Sequence, residues 1–139
     1  MYEACGRHES VGYANTLYNF GSLRVAQQQY EESVKLYEQA LKVYATCKGR
    51  ESEDYANTLC KLANVRRQQQ QYEEAVALYE QALKVYEACV GRESINCANT
   101  LKSMGTVRAE QQQHDKGMEL LERALRVYEA CGRRESDDY

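Results

Sequence analysis

The residues most suited to chemistry in this 139-residue chain are its six cysteines. Four of them follow one another at intervals of 42 residues: Cys5, Cys47, Cys89 and Cys131. Packed helices lie roughly 8–10 Å apart, whereas a disulfide needs Cα atoms about 4.4–6.8 Å apart. Equivalent positions in stacked units are therefore too distant to pair easily. We expect these four to fill space near the helix–helix seam, and all six, with Cys60 and Cys97, to be structural thiols in a reducing compartment.

Acid–base and metal chemistry would need other clusters of side chains, and the sequence offers few. Of the two histidines, His8 lies in a predicted linker, and His114 replaces a tyrosine at a predicted packing position. The acidic pairs at 31–32 and 73–74 are interpreted as favourable charge at a helix start. No Cys-x-x-Cys pair or glycine-rich phosphate loop occurs. The sequence therefore predicts a protein that is not an enzyme and that uses no metal or cofactor.

The interval of 42 residues applies to the whole chain. The segment 13–17, Tyr-Ala-Asn-Thr-Leu, returns at 55–59 and, with cysteine in first place, at 97–101. A fixed period of this length is typical of stacked supersecondary units. We divide the single solenoid of residues 1–139 into the tail of a preceding repeat and three complete copies, with Tyr139 opening a fourth: 1–12, 13–54, 55–96 and 97–138. The sequence is interpreted as a fragment of a longer array.

Each copy is predicted to hold two helices, because proline is absent and strong helix formers dominate. The first helix begins after a serine, a favoured N-cap, at Ser10, Ser52, Ser94 and Ser136. The second begins near Tyr30, Tyr72 and His114 and ends near a glycine, which is Gly49, Gly91 and, shifted in copy three, Gly132. Glutamine clusters at 27–29, 68–71 and 111–113 occupy the turn between them. We interpret these clusters as solvated helix ends rather than aggregation elements.

Apolar residues recur at helical spacing in both helices, which predicts one buried face on each. On the first helices this stripe comprises Leu17, Phe20 and Leu23, then Leu59, Leu62 and Val65, then Leu101, Met104 and Val107. On the second helices it comprises Val34, Tyr37, Leu41 and Tyr44, then Val76, Tyr79, Leu83 and Tyr86, then Met118, Leu121, Leu125 and Tyr128. The fold class is therefore all-α.

The small and large residues of each copy resemble the tetratricopeptide repeat, whose pattern places Leu-Gly on the first helix and Ala-x-x-x-aromatic on the second. Copy one has Leu17, Phe20-Gly21, Ser33-x-x-x-Tyr37 and Ala40. The resemblance implies a right-handed α-solenoid of helix-turn-helix repeats. The 42-residue period is similar to the long-helix subclass of kinesin light chains, which are cytoplasmic adaptors that bind cargo peptides in a concave groove. Two departures are that arginine replaces the first-helix aromatic, at Arg24, Arg66 and Arg108, and that Lys61 and Ser103 replace the groove asparagine found at Asn19.

If the first helices line a groove, their residues outside the apolar stripe are the candidate peptide-binding residues. They are Asn15, Tyr18, Asn19, Ser22, Asn57, Cys60, Lys61, Asn64, Arg67, Asn99, Lys102, Ser103 and Thr106. The asparagines at 15, 57 and 99 recur in phase. A carboxamide can donate and accept together, as an extended peptide requires. The alternative is that each asparagine fixes its own first turn or a neighbouring loop.

Charge gives a prediction about the partner. The first-helix segments carry six basic residues against Glu110: Arg24, Lys61, Arg66, Arg67, Lys102 and Arg108. The hypothesis is a mildly basic concave face that prefers acidic peptides, and the alternative is a solvated charge pattern. A chaperone co-factor is disfavoured, because Tyr18 and Ser22 stand where that class needs its carboxylate clamp.

The sequence thus predicts a protein–protein interaction module that binds a peptide or partner segment. The alternative is a structural scaffold that self-associates end to end, since Leu121, Leu125 and Tyr128 have no following repeat to cover them. The net charge of −3 disfavours nucleic acid as a partner. No apolar run has the length of a membrane span, and no signal peptide is recognised. We expect a cytoplasmic protein.

Overall fold

The computed structural model describes residues 10–137, with side chains as far as Gly132. Helices fill this range without a strand: α1 (Val11–Ala26), α2 (Tyr30–Lys48), α3 (Glu53–Gln68), α4 (Tyr72–Val90), α5 (Ile95–Glu110) and α6 (His114–Asp137). Equivalent helices begin 42 residues apart, so the all-α helical repeat solenoid is confirmed. The predictions for Cys5, His8 and Tyr139, and for most of the 1–12 tail, lie outside the described residues.

Serine caps fix the start of each first helix. The side chains of Ser10, Ser52 and Ser94 accept hydrogen bonds from the backbone N–H three residues later, at 3.0, 3.1 and 3.2 Å. A bond of this kind satisfies one of the N–H groups that the first turn leaves unpaired. The prediction of an N-cap is therefore confirmed at these positions, and it is wrong at Ser136, which lies inside α6.

Glycine ends the second helix in two of the three copies. Gly49 and Gly91 follow α2 and α4 with φ of 88° and 94°, a region that residues with a Cβ avoid. The prediction that Gly132 ends the third is wrong, because α6 continues to Asp137. The position equivalent to Gly49 and Gly91 is 133, where the sequence has arginine. A residue with a Cβ disfavours the positive φ that stops the other two helices, and the backbone stays helical.

The glutamine clusters lie at the turn, as predicted, and they also hold it together. Gln28 has φ of 61°, and the N–H groups of Gln28 and Gln29 donate to the carbonyls of Val25 and Arg24 at 2.8 and 2.9 Å. This pair of backbone hydrogen bonds is the Schellman motif, a common way for a helix to end. The Arg24 guanidinium donates to the Oε1 atoms of Gln27 and Gln29 at 2.8 and 2.7 Å. Arg66 and Arg108 repeat the arrangement, so the arginine that replaces the usual aromatic residue stabilises the turn.

Close packing joins the two helices of each copy. A Cβ on Gly21 would lie 2.9 Å from the Tyr37 ring, and one on Gly105 would lie 2.9 Å from Leu121 Cγ. Real Cβ contacts of that length essentially never occur, so glycine is required for α1 to approach α2 and for α5 to approach α6. These are the small residues of the repeat pattern in the roles expected of them.

The core continues from one copy to the next. Val34 and Tyr37 of α2 pack with Leu62 and Val65 of α3, and the same layer recurs between α4 and α5. The predicted stripes are therefore buried in the middle of the solenoid. At its ends the prediction fails for five residues that are exposed: Phe20, Leu23, Met118, Leu121 and Leu125. The physical reason is that no further repeat packs on α1 or α6 within the described residues.

Candidate functional site

Three adjoining depressions follow the first helices, with volumes of about 360, 320 and 150 Å³. Tyr18 and Asn57 line both larger depressions, while Lys61 and Asn64 line the central one and the smallest. Shared walls make the three a continuous surface, which we call the groove. Most of the predicted binding residues lie along it: Asn15, Tyr18, Asn19, Ser22, Asn57, Cys60, Lys61, Asn64, Asn99 and Ser103.

Three predicted residues lie away from the groove. Arg67 lines a separate depression of about 280 Å³ and forms an ion pair with Glu110 at 2.6 Å. Thr106 donates its hydroxyl to the backbone carbonyl of Lys102 at 3.0 Å, so this hydroxyl is used within α5. Lys102 itself is exposed and lines none of the three depressions. Two of these three residues lie on α5, so the groove takes in fewer of the predicted residues on α5 than on α1 or α3.

The in-phase asparagines are paired with tyrosines of the second helices. Each carboxamide oxygen accepts a hydrogen bond from a tyrosine hydroxyl 29 residues later, in the pairs Asn15–Tyr44, Asn57–Tyr86 and Asn99–Tyr128. Neither a first turn nor a neighbouring loop is involved. Because the oxygen is occupied, the orientation of the carboxamide is fixed. Its NH₂ group has no acceptor among the described residues.

Further hydroxyls from second helices enter the groove beside the candidate residues. Tyr79 donates to the carboxamide oxygen of Asn64 and is also hydrogen-bonded to Ser103. The Tyr37 hydroxyl lies 2.9 Å from Ser22 Oγ. The sequence pattern predicted only core positions for the tyrosines of the second helices. For Tyr44, Tyr86 and Tyr128 a signal was available, because these three recur in phase with the asparagines that they contact.

Burial keeps the groove hydroxyls and the central thiol protonated. It raises the pKa of Tyr44 and of Tyr79 to about 12, and it raises the pKa of Tyr86 further. Cys60 Sγ lies 3.8 Å from Thr100 Oγ1 and 4.0 Å from the Tyr86 hydroxyl, and burial raises the pKa of this thiol as well. A protonated thiol is a poor nucleophile, so the groove presents hydrogen-bonding groups rather than a reactive centre.

Two of the in-phase cysteines have a local structural role. Cys89 Sγ donates to the backbone carbonyl of Glu51 at 2.6 Å, and Cys131 Sγ donates to that of Glu93 at 3.1 Å. Each bond joins the end of a second helix to the loop before the first helix of the same copy. Cys60, Cys89, Cys97 and Cys131 are thiols, in keeping with the expectation of unpaired structural cysteines.

Ion pairs neutralise most of the predicted basic character. The four first-helix arginines pair with carboxylates at 3.0, 3.6, 2.6 and 3.4 Å, as Arg24–Glu32, Arg66–Glu74, Arg67–Glu110 and Arg108–Glu73. Hydrogen bonds, from Gln111 to Glu73 and from Arg67 to Glu110, lower the pKa values of both carboxyl groups. Lys61 and Lys102 have no such partner among the described residues. The positive charge of the groove is thus concentrated at Lys61.

Neither a metal site nor a membrane-spanning helix is present in the part of the chain that the structure describes. No group of three or more His, Cys, Asp or Glu side chains is arranged to hold a metal ion there. None of the described helices combines the length and the apolar composition needed to cross a membrane.

Comparison with known proteins identifies the repeat. The family model for the tetratricopeptide repeat matches residues 12–88 and 54–130, which together cover most of the chain. This chain belongs to the tetratricopeptide repeat family. Repeats of this family generally mediate protein–protein interaction or scaffolding, and they are typically non-catalytic.

Solved structures agree on the fold of these tetratricopeptide repeats. BtubC (BKLC) from P. vanneervenii superposes with a TM-score of 0.80 at 23% identity over 85% of this chain and 46% of that one. The repeats of a putative kinesin light chain of Podosopora anserina superpose with a TM-score of 0.78 at 21% identity, over 91% of this chain and 60% of that one. MamA superposes with a TM-score of 0.69 at 16% identity, over 95% of this chain and 75% of that one. The chain therefore spans about half the length of the first two, and no curated protein matches it.

Proposed function

We propose that this tetratricopeptide repeat chain binds an extended segment of a partner protein along the groove. The observation that supports this is the repetition of one oriented carboxamide donor per copy, at Asn15, Asn57 and Asn99. An extended chain presents backbone carbonyls at regular intervals and needs donors held in register. Donors whose orientation is already fixed lose little conformational freedom on binding, which favours affinity.

The charge of the groove supports a preference for acidic segments. Lys61 is exposed, lines two of the three depressions and has no ion-pair partner among the described residues. Asp54, the carboxylate that lines the neighbouring depression, is held by Lys48 Nζ at 2.7 Å. A segment with a carboxylate placed near Lys61 gains a charge-assisted hydrogen bond. The preference should weaken as salt is added, because exposed charges are screened.

The test is a binding screen of the folded chain against extended peptides that are matched in length and differ in charge. We expect acidic peptides to bind more tightly than neutral or basic ones in low salt. The variant Lys61→Glu should weaken the binding of acidic peptides by about 5- to 50-fold. This range corresponds to a loss of about 1–2.3 kcal/mol of binding free energy. Lys84→Glu is the matched control, since Lys84 is exposed on α4 and lines none of the three depressions.

Two results would contradict the proposal in different ways. Equal affinity for acidic and basic peptides would remove the charge preference while leaving the groove as a peptide site. Loss of binding in Lys84→Glu with retention in Lys61→Glu would move the binding surface away from the groove. Helicity measured by circular dichroism must be unchanged in both variants, because each lysine is exposed and makes no ion pair in the described structure.

A further inference from the structure

Two depressions of the groove are the same structure in successive repeats. The depression of about 320 Å³, which we call the outer depression, is lined by Asn15, Tyr18, Asn19, Tyr44, Asp54 and Asn57. The six residues that lie 42 positions later in the sequence all line the depression of about 360 Å³, which we call the central depression: Asn57, Cys60, Lys61, Tyr86, Asn96 and Asn99. The chain therefore repeats this depression along with its helices.

The neutral framework of the two depressions is identical. In each, a tyrosine hydroxyl of the second helix donates to an asparagine of the first helix, as Tyr44 to Asn15 and Tyr86 to Asn57. The asparagine of the following copy, Asn57 or Asn99, completes each lining. Because these groups are the same in both places, they offer a bound segment the same hydrogen bonds in both.

The charged residue of the depression changes sign from one repeat to the next. The outer depression has Asp54 and Asn19, whereas the equivalent residues of the central depression are Asn96 and Lys61. Within the described structure, Asp54 and Lys61 are the only lining residues of the two depressions that carry a charge at neutral pH. One depression is therefore anionic and the next is cationic.

Each charge acts on the groups inside its own depression. Burial raises the pKa of Tyr44 in the outer depression, and the Asp54 carboxylate raises it further. Burial also raises the pKa of Cys60 in the central depression, where the charge of Lys61 opposes the rise. Opposite effects of this kind are expected from charges of opposite sign near a group that ionises to an anion.

Asp54 can bind a further cation although it already has one partner. Lys48 Nζ contacts Oδ2 of Asp54 at 2.7 Å, and Oδ1 has no hydrogen-bond partner among the described residues. A carboxylate accepts several hydrogen bonds at once. Lys48 is itself exposed, and ion pairs between exposed side chains contribute little to stability. A basic side chain in the outer depression can therefore share or replace this contact.

We propose that the segment bound in the groove carries a basic side chain in the outer depression and an acidic side chain in the central depression. This inference rests on the proposed function, because it needs one extended segment that crosses both depressions. Tyr18 and Asn57 line both of them, so such a segment passes from one to the other without leaving the groove. The order of the two charges along the segment is then fixed by the order of the repeats.

The spacing of the two charges follows from the packing of the helices. The helices that carry Asn15 and Asn57, α1 and α3, are in contact. Packed helices lie roughly 8–10 Å apart, and an extended chain rises about 3.3 Å per residue, so the two charged residues should be about three positions apart.

The experiment compares two peptides that have the same composition and differ only in the order of their charges. Each has blocked termini and contains one lysine and one glutamate about three positions apart. Net charge is equal, so a general attraction for acidic segments cannot distinguish them. We expect isothermal titration calorimetry in low salt to show about 5- to 20-fold tighter binding of one order. The tighter order also gives the direction of the segment in the groove.

The variants that test the two charges can be taken from the repeats of the chain itself. Asp54→Asn gives the outer depression the residue found at Asn96, and Lys61→Asn gives the central depression the residue found at Asn19. Each variant should reduce the difference between the two peptides to about twofold or less. The double variant Asp54→Lys, Lys61→Glu exchanges the two charges, and it should bind the other order more tightly.

The matched control is the double variant Glu80→Gln, Lys84→Asn. It removes one charge of each sign from exposed positions of α4 that line neither depression, and it should keep the wild-type preference. Helicity and the thermal midpoint are compared for every variant before its binding is interpreted.

Three outcomes would overturn the inference. Equal affinity of the wild-type chain for the two peptides would do so while leaving the groove as a peptide site. An order preference that persists in both Asp54→Asn and Lys61→Asn, with helicity unchanged, would show that other residues select the order. Failure of every peptide to bind, including the acidic ones, would overturn the proposed function together with this inference.

Discussion

Buried tyrosine hydroxyls connect the groove to the stability of the repeats. Tyr44 and Tyr79 donate to carboxamide oxygens of first-helix asparagines, and burial raises the pKa of each to about 12 from a usual value of 10.0. An ionised tyrosine could not donate these bonds and would place a charge in a poorly solvated site. The hydroxyls therefore stabilise the repeats and also line the groove.

This shift predicts loss of stability in alkali. Below pH 10 both tyrosines are protonated in the folded and unfolded chains, so their contribution is complete. Between pH 10 and about 12 the unfolded chain loses these protons while the folded chain keeps them, so the free energy of unfolding falls as pH rises. We expect the thermal midpoint to drop over this range. The double variant Tyr44→Phe and Tyr79→Phe should start less stable and show a shallower drop, and an equal slope in both proteins would refute the assignment.

At the scale of helices, close approach within a copy depends on glycine more than on helix propensity. A Cβ on Gly105 of α5 would lie 2.9 Å from Leu121 Cγ and 3.1 Å from the backbone oxygen of Gly117. Since the latter atom is backbone, it cannot simply move aside. In contrast, a Cβ on Gly12 of α1 would meet only Ser10 Oγ, at 3.9 Å.

Alanine at these two glycines should therefore act in opposite directions. Gly12→Ala should raise the free energy of unfolding by about 0.5–1 kcal/mol, because alanine loses less backbone entropy in a helix. Gly105→Ala has the same gain, but it should lower stability by about 1–3 kcal/mol, because the added methyl forces α5 away from α6. Urea unfolding followed by circular dichroism measures both. A stabilising Gly105→Ala would show that the helices do not approach as closely as described.

Most of the helices could be predicted from the sequence, because their signals are local. The N-cap serines, the glycines at 49 and 91 and the period of the apolar stripes each act within a few residues. The end of α6 was not predicted, since it depends on whether glycine stands at 133 or one position earlier. The groove was predicted in part. Its asparagines recur visibly, whereas their hydroxyl partners lie 29 residues away on another helix and their own spacing indicated only a core.

On the scale of the molecule, a side chain's environment depends on its neighbours as much as on its type. Val65 and Leu23 occupy the same repeat position, yet Val65 is buried between copies and Leu23 is 57% exposed on α1. Periodicity gives both the same prediction, because it assumes that every copy has two neighbours. Within the described residues, α1 and α6 each lack one of these neighbours, so positions that are buried in the middle copy are exposed there.

The central copy should consequently be the most stable part of the chain. Its helices, α3 and α4, pack on neighbours at both sides, and the stability of such arrays is approximately a sum of repeat and junction contributions. Val65→Ala should lower the free energy of unfolding by about 1–3 kcal/mol, since it removes buried methyl groups from the contact between copies one and two. Leu23→Ala should lower the free energy of unfolding by less than about 0.5 kcal/mol, because the Leu23 side chain already faces water.

Amide hydrogen exchange gives a second test of the same account. At micromolar concentration, exchange should be slowest in α3 and α4 and faster in α1 and α6. Uniform protection across the six described helices would contradict this additive account of stability.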